Sequence, residues 1–518
     1  MIHKIVASAL RRPALLSLVL GALAVLGFAP WGWWPVTLAC FAVWMWLTHA
    51  APTMRRALWL GWLFGVGHFV FGNIWLAQAF AYQDAMPHWL GLLAPVLPAF
   101  YLAIYPMMAA GVAWRFRRER VEGGYVLVFA AVWIATEYLR ATVMTGYPWN
   151  PLAEIWLPTP FAQLAAVVGT YALSGLAILA SGILLGAAGQ RGTVLAALVV
   201  VALSWTYSYL TYPMFHIGGI PNAPRVMVVQ PDLDQEQRPR NDYAETNLRA
   251  LAKLSGRPGP APRLIVWPEG ALRYFVEEGY PAQYYGPNVP YLTRARIASL
   301  LGPDDIVLTG GNALKFDPDG NLKAVTNSIF ALDARARVLG RYDKGHLVPF
   351  GEYLPARPFL SLFGLQRLVP GDYDFAPGPG PASLALPKFG RVGFQICYEI
   401  IFSGSIVDRR QRPAFLFNPS NDSWYSESGP AQNLAQARLR AIEEGLPVIR
   451  ATPTGISAVI DAQGRVLKSI PWNTAGAIEL PIPPAAVPTL FSQLGNAMAA
   501  IVAGALLLLA VAIRFARR

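Results

Sequence analysis

Three segments of this 518-residue chain each set an ionisable side chain directly after a short apolar run. They are Leu264-Ile-Val-Trp-Pro-Glu269, Arg341-Tyr-Asp-Lys344-Gly-His-Leu-Val-Pro-Phe-Gly-Glu352 and Val392-Gly-Phe-Gln-Ile-Cys397-Tyr-Glu399. In an open α/β sheet the strand ends converge on a crevice, so a carboxylate, an ammonium and a thiol delivered in this way meet there. Such a trio runs acyl transfer. The thiol attacks a carbonyl, the carboxylate takes the thiol proton, and the fixed cation stabilises the oxyanion of the tetrahedral intermediate. A lone cysteine after a strand is ordinarily a packed core thiol, and a single Lys or Glu is ordinarily solvated, so the argument rests on the set. His346 stands two residues from Lys344, but the apolar residues after it mark a packed strand-end histidine, and it receives no catalytic role.

The elements that position this trio lie in a region of distinct composition. Residues 1–221 hold 11 basic and 5 acidic side chains, residues 222–484 hold 28 and 25, and residues 485–518 hold three arginines. The chain as a whole is 54% hydrophobic and only 14% charged, against about 25% charged in an average soluble protein. An ordinary cytosolic enzyme is excluded, and a soluble domain at 222–484 is set within a membrane protein. Its charges nearly balance, so the net +12 belongs to the membrane parts and does not imply nucleic acid as a partner. Two cysteines make no disulfide framework; Cys40, inside an apolar run, reads as a small buried hydrophobe. No residue cluster calls for a metal or cofactor.

Within 222–484, β-branched runs bounded by Gly, Pro and Asp predict strands at 225–230, 263–267, 306–309, 328–332, 392–397, 415–418, 448–451 and 457–460. Helical patterns fall at 243–254 and 430–444, and Asp317-Pro-Asp-Gly320 and Asp461-Ala-Gln-Gly464 read as turns. This is a layered α/β domain with largely buried strands.

Apolar runs long enough for a bilayer core of about 30 Å fall at 14–29, 36–50, 57–81, 89–114, 125–139, 161–188, 193–212 and 495–513, predicting eight spans. The division is then 1–221 for seven spans, 222–484 for the α/β domain, and 485–518 for the last span and a tail. Basic residues cluster in the N-terminus, the loops after spans two, four and six, and the C-terminus, whereas two of the alternate loops carry only Asp84. By the positive-inside rule both termini are cytoplasmic and the large domain lies outside. Fourteen of the seventeen tryptophans precede residue 222, and Trp31, Trp33, Trp34, Trp89 and Trp149 stand near span ends, as interfacial anchors do.

The motifs just quoted, together with Gly27-Phe-Ala-Pro30, Thr145-Gly-Tyr-Pro-Trp149, Thr326-Asn-Ser328 and Ser420-Asn-Asp-Ser-Trp424, make the chain resemble the nitrilase superfamily. More closely, they resemble its membrane-embedded branch, the apolipoprotein N-acyltransferase family of the bacterial inner membrane. The resemblance implies an αββα sandwich on the periplasmic side. It implies Cys397 as nucleophile, Glu269 as general base and Lys344 as the oxyanion-stabilising residue. Glu352 and Glu399 correspond to acidic residues that support the Lys and the Cys, Tyr398 offers its backbone N–H to the oxyanion, and Asn327 matches a position near the site. The implied acyl donor is a phospholipid, phosphatidylethanolamine in the family, and the acceptor is the α-amine of a diacylglyceryl-modified lipoprotein cysteine. The chain departs from the family at Gln432-Asn433, where Gln-His is common, and at Pro453, where Asn is common, which leaves the wall around Trp424 open.

Lipid substrates direct attention to apolar segments near the trio. Phe359-Leu-Ser-Leu-Phe363-Gly-Leu365 reads either as a membrane-dipping lid or as a buried connecting helix. Glu137 and Arg140, one helical turn apart near the end of span five, either face a headgroup or pair with one another. The rival function is a membrane-anchored nitrilase-like amidase, which differs only in whether water or an amine resolves the thioester.

Overall fold

Strands whose side chains are buried on both faces must be covered on both, and here two sheets cover each other. The computed structural model describes residues 11–82, 87–186, 224–233, 242–285, 289–363, 366–368 and 374–516, with positions 202 and 206. In the described residues, sheet one runs β12 (Gly476–Pro481), β1 (Arg225–Gln230), β2 (Arg263–Val266), β3 (Ile306–Phe316), β4 (Leu322–Asp333), β5 (Val338–Asp343). Sheet two runs β11 (Val466–Ile470), β10 (Ser457–Ile460), β9 (Val448–Ala451), β8 (Phe415–Pro419), β7 (Gly390–Phe394), β6 (Ser383–Leu386). The three central strands of sheet one, β1 to β3, are parallel, as are β7 to β9 in sheet two, and the outer strands are antiparallel.

Between the sheets, Val226, Leu264, Leu308 and Ile329 meet Val392, Phe417, Ile449 and Val459 in one apolar core. Burying each such side chain contributes roughly 1.5–3 kcal/mol. On the outer face of sheet one, Trp267, Val307 and Phe330 pack under Leu248 and Leu251 of the helix Tyr243–Leu254 and Ile297 of the helix Pro290–Ala298. On the outer face of sheet two, Leu416, Val448 and Ile460 pack under Ala437 and Ala441 of the helix Ser428–Glu444. The layers are therefore helix, sheet, sheet, helix.

All eight predicted strands are present, but β3 and β4 extend well past their predicted ends, joined by the turn at Asp317 to Gly320. The predicted strand 392–397 stops at Phe394, so Cys397 leaves the sheet before it reaches the site. β5, β6, β11 and β12 were not predicted; all four are edge strands, and their partly exposed, polar-interrupted sequences carry no continuous apolar run.

Helices stand at seven of the eight predicted apolar runs; the run 193–212 lies outside the described residues apart from positions 202 and 206. Among the described residues, four helices are long and apolar enough to cross a membrane: His88–Arg115, Gly123–Thr142, Pro160–Gly186 and Ala497–Ala516. The helices Pro13–Ala24 and Trp34–Ala50 are shorter. The run 57–81 is not one straight helix, because Met54–Gly72 and Leu76–Tyr82 are bent by 55° about a break. Asn73 sits in that break, buried, and its Oδ1 accepts from Tyr147 Oη at 2.8 Å. An asparagine that finds a partner off the helix axis competes with helical continuation. Pro160–Gly186 is also broken, at Gly169 (φ +76), where an added Cβ would lie 2.2 Å from the Phe491 ring.

The helices share an aromatic core in which Trp44 stacks on Phe64 at 4.2 Å and Phe41 meets Trp133 edge-on at 5.1 Å. Cys40 is buried there, as read from its apolar run. Trp31, Trp33 and Trp89 are exposed near helix ends, but Trp149 is only 1% exposed. Its predicted place at an interface is corrected below by the partners it meets.

Candidate active site

Each member of the trio leaves its strand on a different turn. Glu269 lies three residues past β2, in a turn that crosses β3 so closely that a Cβ on Gly310 would stand 2.5 Å from the Pro268 carbonyl oxygen. Lys344 directly follows β5, its backbone N–H donating to the Asn327 carbonyl of β4 at 2.9 Å. Cys397 opens the short helical turn Cys397–Ile401 with φ +53. A non-glycine residue held in the left-handed region stores strain of about 1–3 kcal/mol, which surrounding structure must hold in place.

The holding group is Glu399. Its carboxylate accepts from the backbone N–H groups of Ile396 (2.7 Å), Gly345 (2.7 Å) and His346 (3.0 Å) and from the Tyr342 hydroxyl (2.9 and 3.0 Å). One buried carboxylate thus ties the Cys397 turn to the Lys344 loop. Burial pushes its ionisation up to about 7, opposed by those donors and by Lys344. His346 contributes its backbone here, while its ring packs on Phe402 at 4.0 Å, the packed histidine its apolar neighbours suggested.

Lys344, 1% exposed, is clasped by two carboxylates. Its Nζ stands 3.0 Å from Glu352 Oε2, 3.1 Å from Glu352 Oε1 and 3.6 Å from Glu269 Oε1. Burial would strip the ammonium of its proton, but Glu352 and Glu269 outweigh it and hold the ionisation above the ordinary lysine range. Asn327 Nδ2 donates to Glu269 Oε1 at 2.7 Å and to Glu352 Oε1 at 2.9 Å, bridging the two acids. Glu352 Oε2 also accepts from the Val348 N–H at 2.8 Å. Glu269 Oε2 is buried and, among the described residues, has no hydrogen-bond partner, so one oxygen stands open to a proton. Burial pushes the Cys397 thiol up to about 12, the Glu269 charge adds to this, and Lys344 pulls the other way. The thiol is therefore neutral at rest and loses its proton only as a neighbour takes it.

An aromatic wall closes the sulfur side, and sequence reasoning missed most of it. Tyr425 Oη lies 3.9 Å from Cys397 Sγ, and its ring meets Trp75 at 4.5 Å and Trp149 at 5.7 Å. Trp149 Nε1 donates to Gln432 Oε1 at 2.8 Å, so this tryptophan joins the helical part to the sandwich instead of anchoring an interface. Tyr398 Oη donates to the Gly146 carbonyl at 3.1 Å across the same junction. Trp424, beside Tyr425, meets Tyr82 at 5.8 Å. The signal for Trp75 and Tyr425 was absent because an isolated aromatic in a tryptophan-rich membrane chain is unremarkable until its partners are known.

The remaining predicted residues divide. Phe359 is 60% and Leu362 78% exposed, so the buried-helix reading of that segment is overturned; Leu365 lies outside the described residues, and the side chain of Phe363 is not among them. Glu137 and Arg140 are buried and face one another at 3.7 Å, and Arg140 Nη1 donates to the Tyr147 and Trp149 carbonyls at 2.9 and 2.7 Å. The pair braces the segment that carries Trp149, and its burial speaks against the headgroup reading. Of the two departures, Asn433 is buried with neither amide atom partnered among the described residues, and the Pro453 carbonyl accepts from Asp232 N–H at 2.7 Å.

Comparison with known proteins agrees with this construction. The family described as "Apolipoprotein N-acyltransferase N-terminal domain" matches residues 20–183, and "Carbon-nitrogen hydrolase" matches residues 229–489. Apolipoprotein N-acyltransferases of Rhizobium rhizogenes, Rhodopseudomonas palustris and Caulobacter vibrioides are 33%, 33% and 34% identical to the chain. These alignments cover 90%, 96% and 93% of it and 89%, 94% and 91% of the relatives. With a nitrilase-type sandwich, apolar helices before it and similarity over nearly its whole length, the chain belongs to the apolipoprotein N-acyltransferase family.

Proposed function

We propose that the chain transfers a fatty acyl group from a phospholipid, through a thioester on Cys397, to the α-amine of the diacylglyceryl-cysteine of a bacterial lipoprotein. The observation that carries this reading is the Lys344 ammonium held between Glu269 and Glu352 beside a buried thiol, behind a wall of aromatics lent by the helical part. Cys397 is the nucleophile, Glu269 the base and Lys344 the cation for the oxyanion, with the Tyr398 N–H as a second donor. Glu352 and Asn327 position Lys344 and Glu269, and Glu399 positions the Cys397 turn. Trp424 and Phe359 form the acyl-chain side of the mouth, with phosphatidylethanolamine as donor.

The expected kinetics are ping-pong. With phospholipid alone, about one equivalent of lysophospholipid per enzyme is released in a burst and mass spectrometry finds the acyl group on Cys397. A diacylglyceryl peptide with a free α-amine then discharges it to an amide, while the same peptide acetylated on that amine leaves the thioester standing. Continuous release of free fatty acid without acceptor would instead support the amidase-like reading.

The reading includes an arrangement in the bilayer: eight spans, divided as residues 1–221 and 485–518 around a periplasmic catalytic domain at 222–484, with both termini cytoplasmic. In a chain freed of its native cysteines by Cys40→Ala and Cys397→Ser, an exposed reporter at Asp319→Cys is expected to react with an impermeant maleimide on intact spheroplasts. A reporter at Glu119→Cys, in the basic loop after span four, is expected to react only after permeabilisation. The reverse pattern would invert the orientation.

A further inference from the structure

The aromatic wall ends in one polar atom, and that atom faces the nucleophile. The Tyr425 ring is fixed on several sides: by Trp75 and Trp149, and by Gly429, where an added Cβ would stand 2.4 Å from Tyr425 Cβ. Trp149 is itself held by Gln432 at its indole nitrogen and by Arg140 at its carbonyl. The ring therefore has little freedom to turn. Its hydroxyl lies at 3.9 Å from Cys397 Sγ, its hydrogen-bond partner among the described residues. A phenylalanine would give the same ring contacts without burying an oxygen, so the stacking alone does not account for the hydroxyl.

We infer that Tyr425 is a further catalytic residue, whose hydroxyl donates a hydrogen bond to the Cys397 sulfur whenever that sulfur carries negative charge. In the first half reaction the thiol proton passes to Glu269 as the S–C bond forms; the ester C–O bond then breaks and Glu269 returns the proton to the departing glycerol oxygen. In the second, the amine nitrogen bonds the thioester carbon and the C–S bond breaks with its electron pair left on sulfur. The amine proton passes by way of Glu269 to that sulfur. Lys344 serves the carbonyl oxygen in both halves, and the sulfur, the leaving group of the second, is served by Tyr425. Burial and the nearby thiol and acids hold the phenol's ionisation well above its ordinary range, so it donates and does not act as a base. The groups that face the sulfur with it are Glu269, Lys344, the Ser420 hydroxyl and the Asn421 N–H, with Asp422 behind the phenol.

The inference rests on Cys397 as the nucleophile, and its test separates the two. In the full-length protein, Tyr425→Phe keeps the ring contacts and removes the hydroxyl. Discharge of preformed acyl-enzyme by the amine acceptor is expected to slow by about tenfold, the size of one hydrogen bond to a charged group. The pH profile of Cys397 alkylation by iodoacetamide is expected to move to higher pH, a readout that loss of packing alone would not shift in a protein with an unchanged melting temperature. Discharge within twofold of wild type with an unmoved alkylation profile would overturn the inference while leaving Cys397 in place. Wild-type turnover in Cys397→Ala would instead remove the reading on which it rests. Should Tyr425→Phe melt earlier, Tyr425→Leu supplies the second measurement: a side chain with no donor at that point must also raise the alkylation profile, and an unchanged profile there overturns the inference.

Discussion

Replacing Lys344 with alanine is expected to reduce acylation of Cys397 by about 10²–10³-fold, the effect of deleting an oxyanion donor. The same substitution should cost about 3–5 kcal/mol of stability, because it leaves the buried Glu352 and the largely buried Glu269 as acids without their counter-charge. Asn327 can bridge them but brings no charge. Pre-steady-state release of lysophospholipid measures the first effect and thermal unfolding in detergent the second; a near-normal burst would take Lys344 out of the chemistry. Cys397→Ala should abolish the burst altogether. Glu269→Gln should move two observables in opposite directions. Acyl transfer falls because the base is gone, yet alkylation of Cys397 at mildly alkaline pH rises, because the glutamate charge had been holding the thiol's ionisation up. A fall in both would mean that the substitution had only disordered the turn.

Arg140→Ala is expected to produce the next largest loss although Arg140 touches neither the thiol nor the carboxylates. It removes the donor to the Tyr147 and Trp149 carbonyls and leaves Glu137 buried without its counter-charge, a change of about 3–5 kcal/mol by analogy with other broken buried pairs. Trp149 then loses its seat against Tyr425, and Gly146 its fixed place under Tyr398. Acylation and discharge should both fall by about tenfold or more, in step with the melting temperature. Arg140→Lys restores charge but not two carbonyl contacts in one plane, so it should recover stability only in part. A wild-type melting temperature in Arg140→Ala would show that the segment 146–149 is held by other means.

The candidate trio was legible because Glu269 and Cys397 follow runs that read as buried strands, while Lys344, which follows the edge strand β5, stood out by its long motif, with Glu352 and Glu399 eight and two residues from Lys344 and Cys397. What brings those groups together was not legible. Glu399 braces Gly345 and Ile396 at once, across 54 and three residues, and no local pattern reports a hydrogen bond of that reach. Tyr425, Trp75 and Trp149 come from three separate segments, and periodicity places them in a core without saying whose. The break at Asn73 was hidden because hydropathy averages over a single polar residue, while the helix responds to that residue's partner, Tyr147, 74 positions away. The edge strands escaped for the opposite reason: an edge needs one covered face only, and its sequence is diluted accordingly.

The helix Ser428–Glu444 belongs to two cores at once. Ala437 and Ala441 lie under sheet two, whereas Leu439 and Ile442 pack among the N-terminal helices. Glu443 on the same helix accepts from the Thr170 N–H at 2.6 Å, just past the break at Gly169. A swing of one half of the molecule against the other would have to draw Leu439 and Ile442 out of their packing and break the Thr170 hydrogen bond to Glu443 in the same stroke, so the junction works as a rivet and not as a hinge. Under the proposed function, passage of two lipid substrates then falls to short segments that lie outside both cores, of which the exposed Phe359 to Leu362 arm is one.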